Sequence, residues 1–146
     1  MSNNEIVPGF DDEKDDSLKI RLQKIADTEG CLVLYLTGYI DTYNSNYFQK
    51  RVNKAIEGGF IKLIFHCSGL NYVSSTGIGS FTAFLKQVKP RGGDLVLLEI
   101  QPKVYFLVYL CSSAFIRGQL FSRARIRILA QIDRCGSRRS RRRARW

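Results

Sequence analysis

The chain has 146 residues, of which 45% are apolar, and this length and composition fit one globular domain with a single core. It contains no run of the roughly 18 apolar residues that a membrane-spanning helix requires, and from its polar, acidic N-terminus we expect neither a signal peptide nor a transit peptide. The net charge of +10 suggests nucleic-acid binding, but residues 117–146 carry all of it, with 11 Arg and one acid. We therefore expect a neutral cytoplasmic domain that does not associate with membranes.

The cysteines and the single histidine show no spacing typical of a metal site. Cys31, Cys67, Cys111 and Cys135 are far apart, and a zinc site would need three of them together with His66 from four separate segments. We therefore expect reduced structural cysteines, no metal and no cofactor. One histidine, and no acid, base and nucleophile that converge in the predicted fold, also predict that the chain is not an enzyme and has no catalytic residues.

Two strands are predicted near the N-terminus. Residues 1–16 are polar and acidic and are expected to form a disordered leader. Apolar and polar residues alternate over residues 18–25, as in a half-buried strand. After a turn that ends at Gly30, the apolar run Cys31–Leu36 predicts a second, more deeply buried strand.

The first long helix is predicted over residues 43–57, because its apolar residues are spaced three and four apart and so share one face. Asp41 and Thr42 can cap its start, and the glycine pair at 58–59 can end it. The apolar run over residues 61–66 then predicts a third strand.

A polar loop over residues 67–75 is expected to precede a second helix, which runs from about Thr76 to Val88. Residues 95–100 predict a fourth strand, and Pro102 suits the first turn of a third helix. The resulting order β-β-α-β-α-β-α predicts an α/β fold, in which a mixed sheet contains parallel strands connected through helices.

The residues most suggestive of a functional site lie at the predicted start of the second helix. Ser74, Ser75 and Thr76 lie there, directly before the pair Gly77 and Gly79. A helix start has unpaired N–H groups and a partial positive charge, so a hydroxyl can cap it and a phosphate can be held there. The motif alone leaves open whether these hydroxyls only cap the helix. It lacks GxxxxGKS and GxGxxG, so a nucleotide-binding enzyme is not predicted.

Several motifs resemble one known family. V-S-S-T-G-I-G-S-F at 73–81, P-R-G-G-D-L-V-L-L at 90–98, L-T-G-Y-I-D at 36–41 and the glycine pair at 58–59 are similar to the STAS domains of bacterial anti-sigma factor antagonists. The resemblance covers about residues 17–105. It implies a STAS-like mixed sheet of four to five strands with helices packed on it, acting as a protein-binding domain in partner switching.

The resemblance also implies a mechanism. In that family a hydroxyl just before the first glycine is phosphorylated by a serine/threonine kinase that is itself an anti-sigma factor. The unphosphorylated form binds this kinase and releases the sigma factor, thereby regulating transcription, and a PP2C-type phosphatase resets the switch. By position, Thr76 would be the acceptor and Ser75 the second choice. The residues expected to bind the partner are Asp41, Thr42, Asn71, Tyr72, Ser74, Gly77, Ile78 and Gly79.

One position departs from the family pattern. The family usually has an Asp two residues before the acceptor, where this chain has Ser74. Loss of that carboxylate supports an alternative function, in which the chain is a non-phosphorylated STAS scaffold subunit of a signalling or lipid-transport complex.

The end of the chain lacks the amphipathic closing helix that the resemblance implies. The STAS domain is predicted to occupy residues 17–116, but the resemblance is expected to stop after Tyr105, and residues 104–111 are apolar on every side. The Arg-rich tail, residues 117–146, has three explanations: a segment that binds nucleic acid or an anionic membrane, a disordered tail, or a reading frame displaced after Tyr105. Arginine without lysine favours the displaced frame. Nucleic acid is an expected partner only through this tail.

Overall fold

A computed structural model describes residues 2–104 and the backbone of residues 127–129. Its five strands form one sheet in the order β1-β2-β3-β4-β5, in which β1 and β2 are antiparallel and the other neighbours are parallel. The predicted α/β fold with a mixed sheet of four to five strands is confirmed. The elements are α1 (Asn3–Ile6), β1 (Leu18–Lys24), β2 (Cys31–Ile40), α2 (Ser45–Glu57), β3 (Lys62–Val73), α3 (Ser75–Val88), a short 3-10 turn (Lys89–Arg91), β4 (Asp94–Leu98) and β5 (Arg127–Leu129).

An aromatic cluster joins α2 and α3 to the sheet. Phe65 of β3 is fully buried, and the centroid of its ring lies 5.0 Å from that of Phe81 on α3. Phe48 of α2 completes the cluster, with its ring centroid 5.4 Å from that of Phe81 and an edge-to-face arrangement. The two helices are therefore held in fixed positions over β3, and this holds the start of α3 in place.

Both central strands extend further than predicted. β2 continues past Leu36 to Ile40, and β3 continues past His66 to Val73. The expectation that β2 ends at Leu36 is wrong, and residues 67–73 of the loop expected over residues 67–75 belong to β3. The pairing shifts register near Gly38, whose φ of 113° fits glycine, and an added Cβ there would lie 2.1 Å from the Ser17 carbonyl oxygen. The strands thus bend and continue where the sequence suggested a break.

The expected disorder of the acidic leader is wrong for residues 2–16. Asn3–Ile6 form the short helix α1, and the side chains of Val7 and Phe10 are only 3% and 1% exposed. Two apolar residues within a polar segment are enough to anchor it when the folded domain offers an apolar surface. Composition alone does not reveal that surface.

Helix α2 begins later than predicted. Its N-cap residue is Asn44, which makes no side-chain capping hydrogen bond, and the Asp41 carboxylate accepts instead from backbone N–H groups of the turn directly before the helix. Tyr43 therefore precedes the helix and is 95% exposed, although its spacing had placed it on the buried helical face. The helix ends as expected at the glycine pair, where Gly59 has a φ of 96°.

Residues 102–104 are helical, as predicted for the start of a third helix, and the rest of that predicted helix lies outside the described residues. The domain boundary at residue 116 and most of the tail over residues 117–146 lie outside the described part. Within that tail, the backbone of β5 pairs with β4. In the part of the chain that the structure describes, none of the helices is both long and apolar enough to cross a bilayer.

Candidate functional site

The ends of β2 and β3 bring the predicted site residues together. Tyr39 is paired with Tyr72 and Ile40 with Val73, and the Ser74 N–H donates a hydrogen bond of 2.8 Å to the Ile40 carbonyl oxygen. The loop after β2 and the start of α3 therefore leave the sheet side by side. We call this surface the switch face; its residues are Tyr39, Asp41, Thr42, Tyr43, Asn71, Tyr72, Ser75, Thr76 and Gly79.

Ser74 caps α3, and this explains how the chain tolerates its departure from the family pattern. Its backbone is extended, and its Oγ accepts a hydrogen bond of 3.2 Å from the Gly77 N–H. A side-chain oxygen at this position satisfies one of the unpaired donors of the first turn, as an aspartate would. The change from Asp to Ser thus keeps the cap and removes the charge.

Ser75 and Thr76 form the first turn of α3, and both are exposed. The helix begins one residue earlier than expected, so both hydroxyls lie where backbone N–H groups lack helical partners. The first turn of this 14-residue helix contains no acidic residue that would compete for those groups. A negative group added to either hydroxyl would therefore lie in solvent beside the positive end of the helix dipole.

The two glycines after Thr76 have different environments. A Cβ at Gly77 would lie 2.7 Å from Cγ2 of Ile40, whereas a Cβ at Gly79 would have no atom within 4 Å. Gly77 is buried, and the side chain of Ile78 is 7% exposed and belongs to the core. The inclusion of Gly77 and Ile78 among the partner-binding residues is thus corrected, because both pack inside the domain. Gly79 lies on the surface.

The loop after β2 is held by hydrogen bonds between its own residues. The Asp41 carboxylate accepts from the backbone N–H groups of Tyr43 and Asn44, at 2.8 and 2.9 Å. Asn44, which the sequence analysis missed, is 3% exposed. Its side chain accepts from the Asp41 N–H and donates to the Tyr39 carbonyl oxygen, each at 2.9 Å. Asp41 therefore shapes the loop, while Thr42 remains exposed for contact.

Three tyrosines near the ends of β2 and β3 are exposed: Tyr39 and Tyr72 are paired neighbours, and Tyr43 lies in the loop after β2. Within residues 2–104, the exposed large apolar side chains are Tyr39, Tyr43 and Tyr72, which are 42%, 95% and 49% exposed. Tyr72 was predicted as a partner-binding residue, whereas Tyr39 and Tyr43 were not. Extending the second strand through Tyr39 and starting the helix after Tyr43 would have identified them. Exposed aromatic side chains are typical of a protein-docking surface.

The start of α3 is also braced from beneath. Ser80 is completely buried, and its hydroxyl donates to the Thr76 carbonyl oxygen at 3.1 Å. The same hydroxyl accepts from the Gln49 side chain of α2 at 2.9 Å. The first turn of α3 thus belongs to a rigid two-helix platform rather than to an adaptable loop.

Neither a metal site nor a reactive thiol is evident among the side chains of residues 2–104. Within residues 2–104, no three His, Cys, Asp or Glu residues lie close enough to form a metal site. Burial raises the pKa of the Cys67 thiol to about 12, so it is not poised as a nucleophile. The features that distinguish the switch face are therefore exposed hydroxyls, exposed tyrosines and a helix N-terminus.

The model of the STAS domain family matches residues 23–123. The chain belongs to the STAS domain family. The match continues beyond residue 105, so the expectation that the family likeness stops there is wrong. The motif from Val73 to Phe81 lies inside the matched region, at the strand-to-helix junction that forms the switch face.

Relatives and solved structures agree with this assignment. The chain is 26% identical over 87 residues to BtrV of Bordetella bronchiseptica, named as a candidate anti-sigma factor antagonist, covering 60% of this chain and 72% of the relative. It is 22% identical over 80 residues to the anti-sigma F factor antagonist of Paenibacillus polymyxa, covering 54% and 68%. The fold matches the anti-sigma factor antagonist SpoIIAA in its unphosphorylated form, with a TM-score of 0.56, 21% identity and coverage of 65% and 81%.

Proposed function

We propose that this STAS domain is an anti-sigma factor antagonist, a protein-binding domain that docks an anti-sigma factor through the switch face and so releases a sigma factor. The observation that carries the proposal is the exposure of Ser75 and Thr76 in the first turn of α3. The names of the relatives point to the same role. The proposal assigns the chain a binding function in the cytoplasm and no catalysis.

Phosphorylation of Thr76, with Ser75 as the second candidate, is the proposed switch. A phosphate would add about −1.5 to −2 charges at neutral pH. It would meet N–H groups of the helix start, so the fold would tolerate it. A partner pressed against the same spot would instead meet a bulky dianion in a low-dielectric interface, where an uncompensated charge is costly. The modification can therefore remove the partner without unfolding the domain.

The proposed partners follow from this switch. The anti-sigma factor would also be the serine/threonine kinase that modifies Thr76, and a PP2C-type phosphatase would reverse the modification. The exposed tyrosines would supply contact area around the acceptor, since aromatic side chains contribute much of the binding energy at protein interfaces. Gly79, with open space above it, would let the partner backbone approach closely.

Binding measurements with two substitutions test the switch. Titration calorimetry would use the cognate anti-sigma factor kinase, with an ATP analogue that cannot be hydrolysed. We expect Thr76→Glu to abolish detectable binding and Thr76→Ala to keep the affinity within about threefold. Gln87→Glu adds the same single negative charge at the opposite end of α3, where residue 87 is exposed, and is the matched control, for which binding should persist. Equal affinities of the Glu and Ala variants at position 76 would overturn the switch.

Ser74 supports a second candidate function, a STAS scaffold subunit that is never phosphorylated. The cap is preserved at this position, but the negative charge that family members carry beside the acceptor is absent. Incubation with the kinase and radiolabelled ATP separates the two functions. Phosphate on Thr76 or Ser75 supports the switch, and stable binding without any incorporation supports the scaffold.

A further inference from the structure

The segment that precedes β1 packs closely on the rest of the domain. We call residues 2–17 the N-terminal strap. Val7 and Phe10 insert into the core that the sheet and helices share. At the far end of the strap, the Asn3 side chain donates to the Ile20 carbonyl oxygen and accepts from the Leu22 N–H, both at 2.8 Å. The strap thus covers part of the free edge of β1, which would otherwise offer unpaired backbone groups.

Two basic side chains of α2 hold the middle of the strap. Arg51 is 1% exposed, contacts the Glu13 carbonyl oxygen and donates to the Gly9 carbonyl oxygen at 3.4 Å. Lys54 donates to the same Gly9 oxygen at 2.6 Å and lies 3.5 Å from the Asp12 carboxylate. Burial of a guanidinium costs free energy unless hydrogen-bond partners compensate for the lost water. The strap carbonyl oxygens supply such partners for Arg51, so the strap and α2 depend on each other.

The last residue of the strap reaches the switch face. The Ser17 hydroxyl accepts a hydrogen bond of 2.7 Å from the Asn44 side chain, which in turn holds the Asp41 N–H. The Asp15 carboxylate holds Ser17 from the other side, because it accepts from the Ser17 N–H at 2.8 Å and from its hydroxyl. A continuous chain of polar contacts therefore runs from the strap to the loop that carries Thr42 and Tyr43.

We propose that the N-terminal strap positions the partner-binding loop of the switch face, with Asp15 and Ser17 acting on that loop through Asn44. The proposal rests on the proposed docking function of the switch face. The Tyr39 carbonyl oxygen and the Asp41 N–H require one orientation of the Asn44 amide, and the hydrogen bond to the Ser17 hydroxyl stabilises that orientation. The strap therefore acts as an internal effector, since a protein or modification that displaced it would loosen the loop.

Hydrogen exchange followed by NMR on the free protein tests this coupling without any partner. The probes are the backbone amides of Asp41, Tyr43 and Asn44. We expect Ser17→Ala and Asp15→Ala to lower their protection about 2- to 10-fold, as expected for the loss of one neutral hydrogen bond. Asp15→Asn keeps an acceptor oxygen and should restore most of the protection.

Asp16→Ala is the matched control, because Asp16 is the exposed neighbour of Asp15 and its loss should leave the loop unchanged. The amide of Phe65 in β3 reports whether each variant keeps its core. Unchanged protection of the loop in Asp15→Ala and Ser17→Ala, with the core intact, would overturn the proposal.

A second measurement separates this proposal from the proposed function. The affinity for the anti-sigma factor should fall about 2- to 10-fold in Ser17→Ala and stay unchanged in Asp16→Ala. If the unmodified chain binds no anti-sigma factor, the proposed function fails, while the exchange data still decide the coupling. If Ser17→Ala loosens the loop but binds as tightly as the unmodified chain, the strap does not position the docking surface and the proposal is wrong.

Discussion

Gly77 packs directly against Ile40, so the first turn of α3 rests on the last residue of β2. An added Cβ at position 77 would lie 2.7 Å from Cγ2 of Ile40 and 2.8 Å from Cγ1 of Val73. Both neighbours are buried β-branched side chains that have little freedom to move. The glycine therefore sets how closely the helix start approaches the strand ends.

This contact predicts opposite effects for two glycines on one helix. Gly77→Ala should lower the free energy of unfolding by about 1–3 kcal/mol, as overpacking of a core does. Gly79→Ala, in open space, should raise it by up to about 1 kcal/mol, because alanine favours the helix. Urea denaturation followed by circular dichroism measures both. Equal destabilisation by the two changes would contradict the packing at Gly77.

The position of Thr76 predicts that a negative charge there is compatible with the fold. At low ionic strength, the free energy of unfolding of Thr76→Glu should exceed that of Thr76→Gln by about 0.3–1 kcal/mol, because the carboxylate lies at the positive end of α3. The difference should shrink in 1 M salt, which screens exposed charges. Thermal unfolding of both variants at two salt concentrations checks this. A glutamate form that is less stable than the glutamine form would mean that loss of binding by Thr76→Glu reflects unfolding.

The sequence predicts the order of the elements well, because hydrophobic periodicity follows local geometry. Alternation over residues 18–25 and the spacing of apolar residues over residues 43–57 reflect one buried face each. Ser75 and Thr76 lie at the start of a helix, as the sequence predicts, because a strand-length apolar run and a helical apolar stripe flank them. These features depend on residues that are near one another in the chain.

The features that were missed depend on distant residues. The bend at Gly38 looks like a strand end until Ser17 is known to pass beside it. The burial of Phe10 depends on a surface built by strands and helices that follow it, and its neighbours in sequence are mostly polar. Tyr43 has the right spacing for the helix face, but α2 begins only after Asn44, whose side chain donates a hydrogen bond to the distant Ser17 hydroxyl. In each case a tertiary contact overrides a local pattern.

Substitutions at Ser74 can test whether its capping hydrogen bond stabilises α3, independently of the charge at that position. Ser74→Ala should lower the free energy of unfolding by about 1 kcal/mol, because the Gly77 N–H loses its acceptor. Ser74→Asp should keep stability near that of the unmodified chain, since a carboxylate accepts the same hydrogen bond. Urea denaturation of both variants checks this. A Ser74→Asp variant as unstable as Ser74→Ala would contradict the assigned cap.

The contacts of Arg51 predict that the N-terminal strap contributes to stability. Arg51→Leu removes the donors to the Gly9 and Glu13 carbonyl oxygens, so the free energy of unfolding should fall by about 1–3 kcal/mol. The loss is moderated because the leucine also removes a buried charge. Lys50→Leu removes an equal charge from the exposed face of α2 and should change stability by less than about 0.5 kcal/mol.

Limited proteolysis reports where the Arg51→Leu variant opens. With Arg51 gone, the strap should detach more often, and cleavage after the exposed Lys14 should become faster than in the Lys50→Leu control. Cleavage in the core strands should stay slow in both, because Val7 and Phe10 account for only a small part of the buried apolar cluster. Equal cleavage rates at Lys14 in the two variants, together with equal stabilities, would show that Arg51 does not clamp the strap.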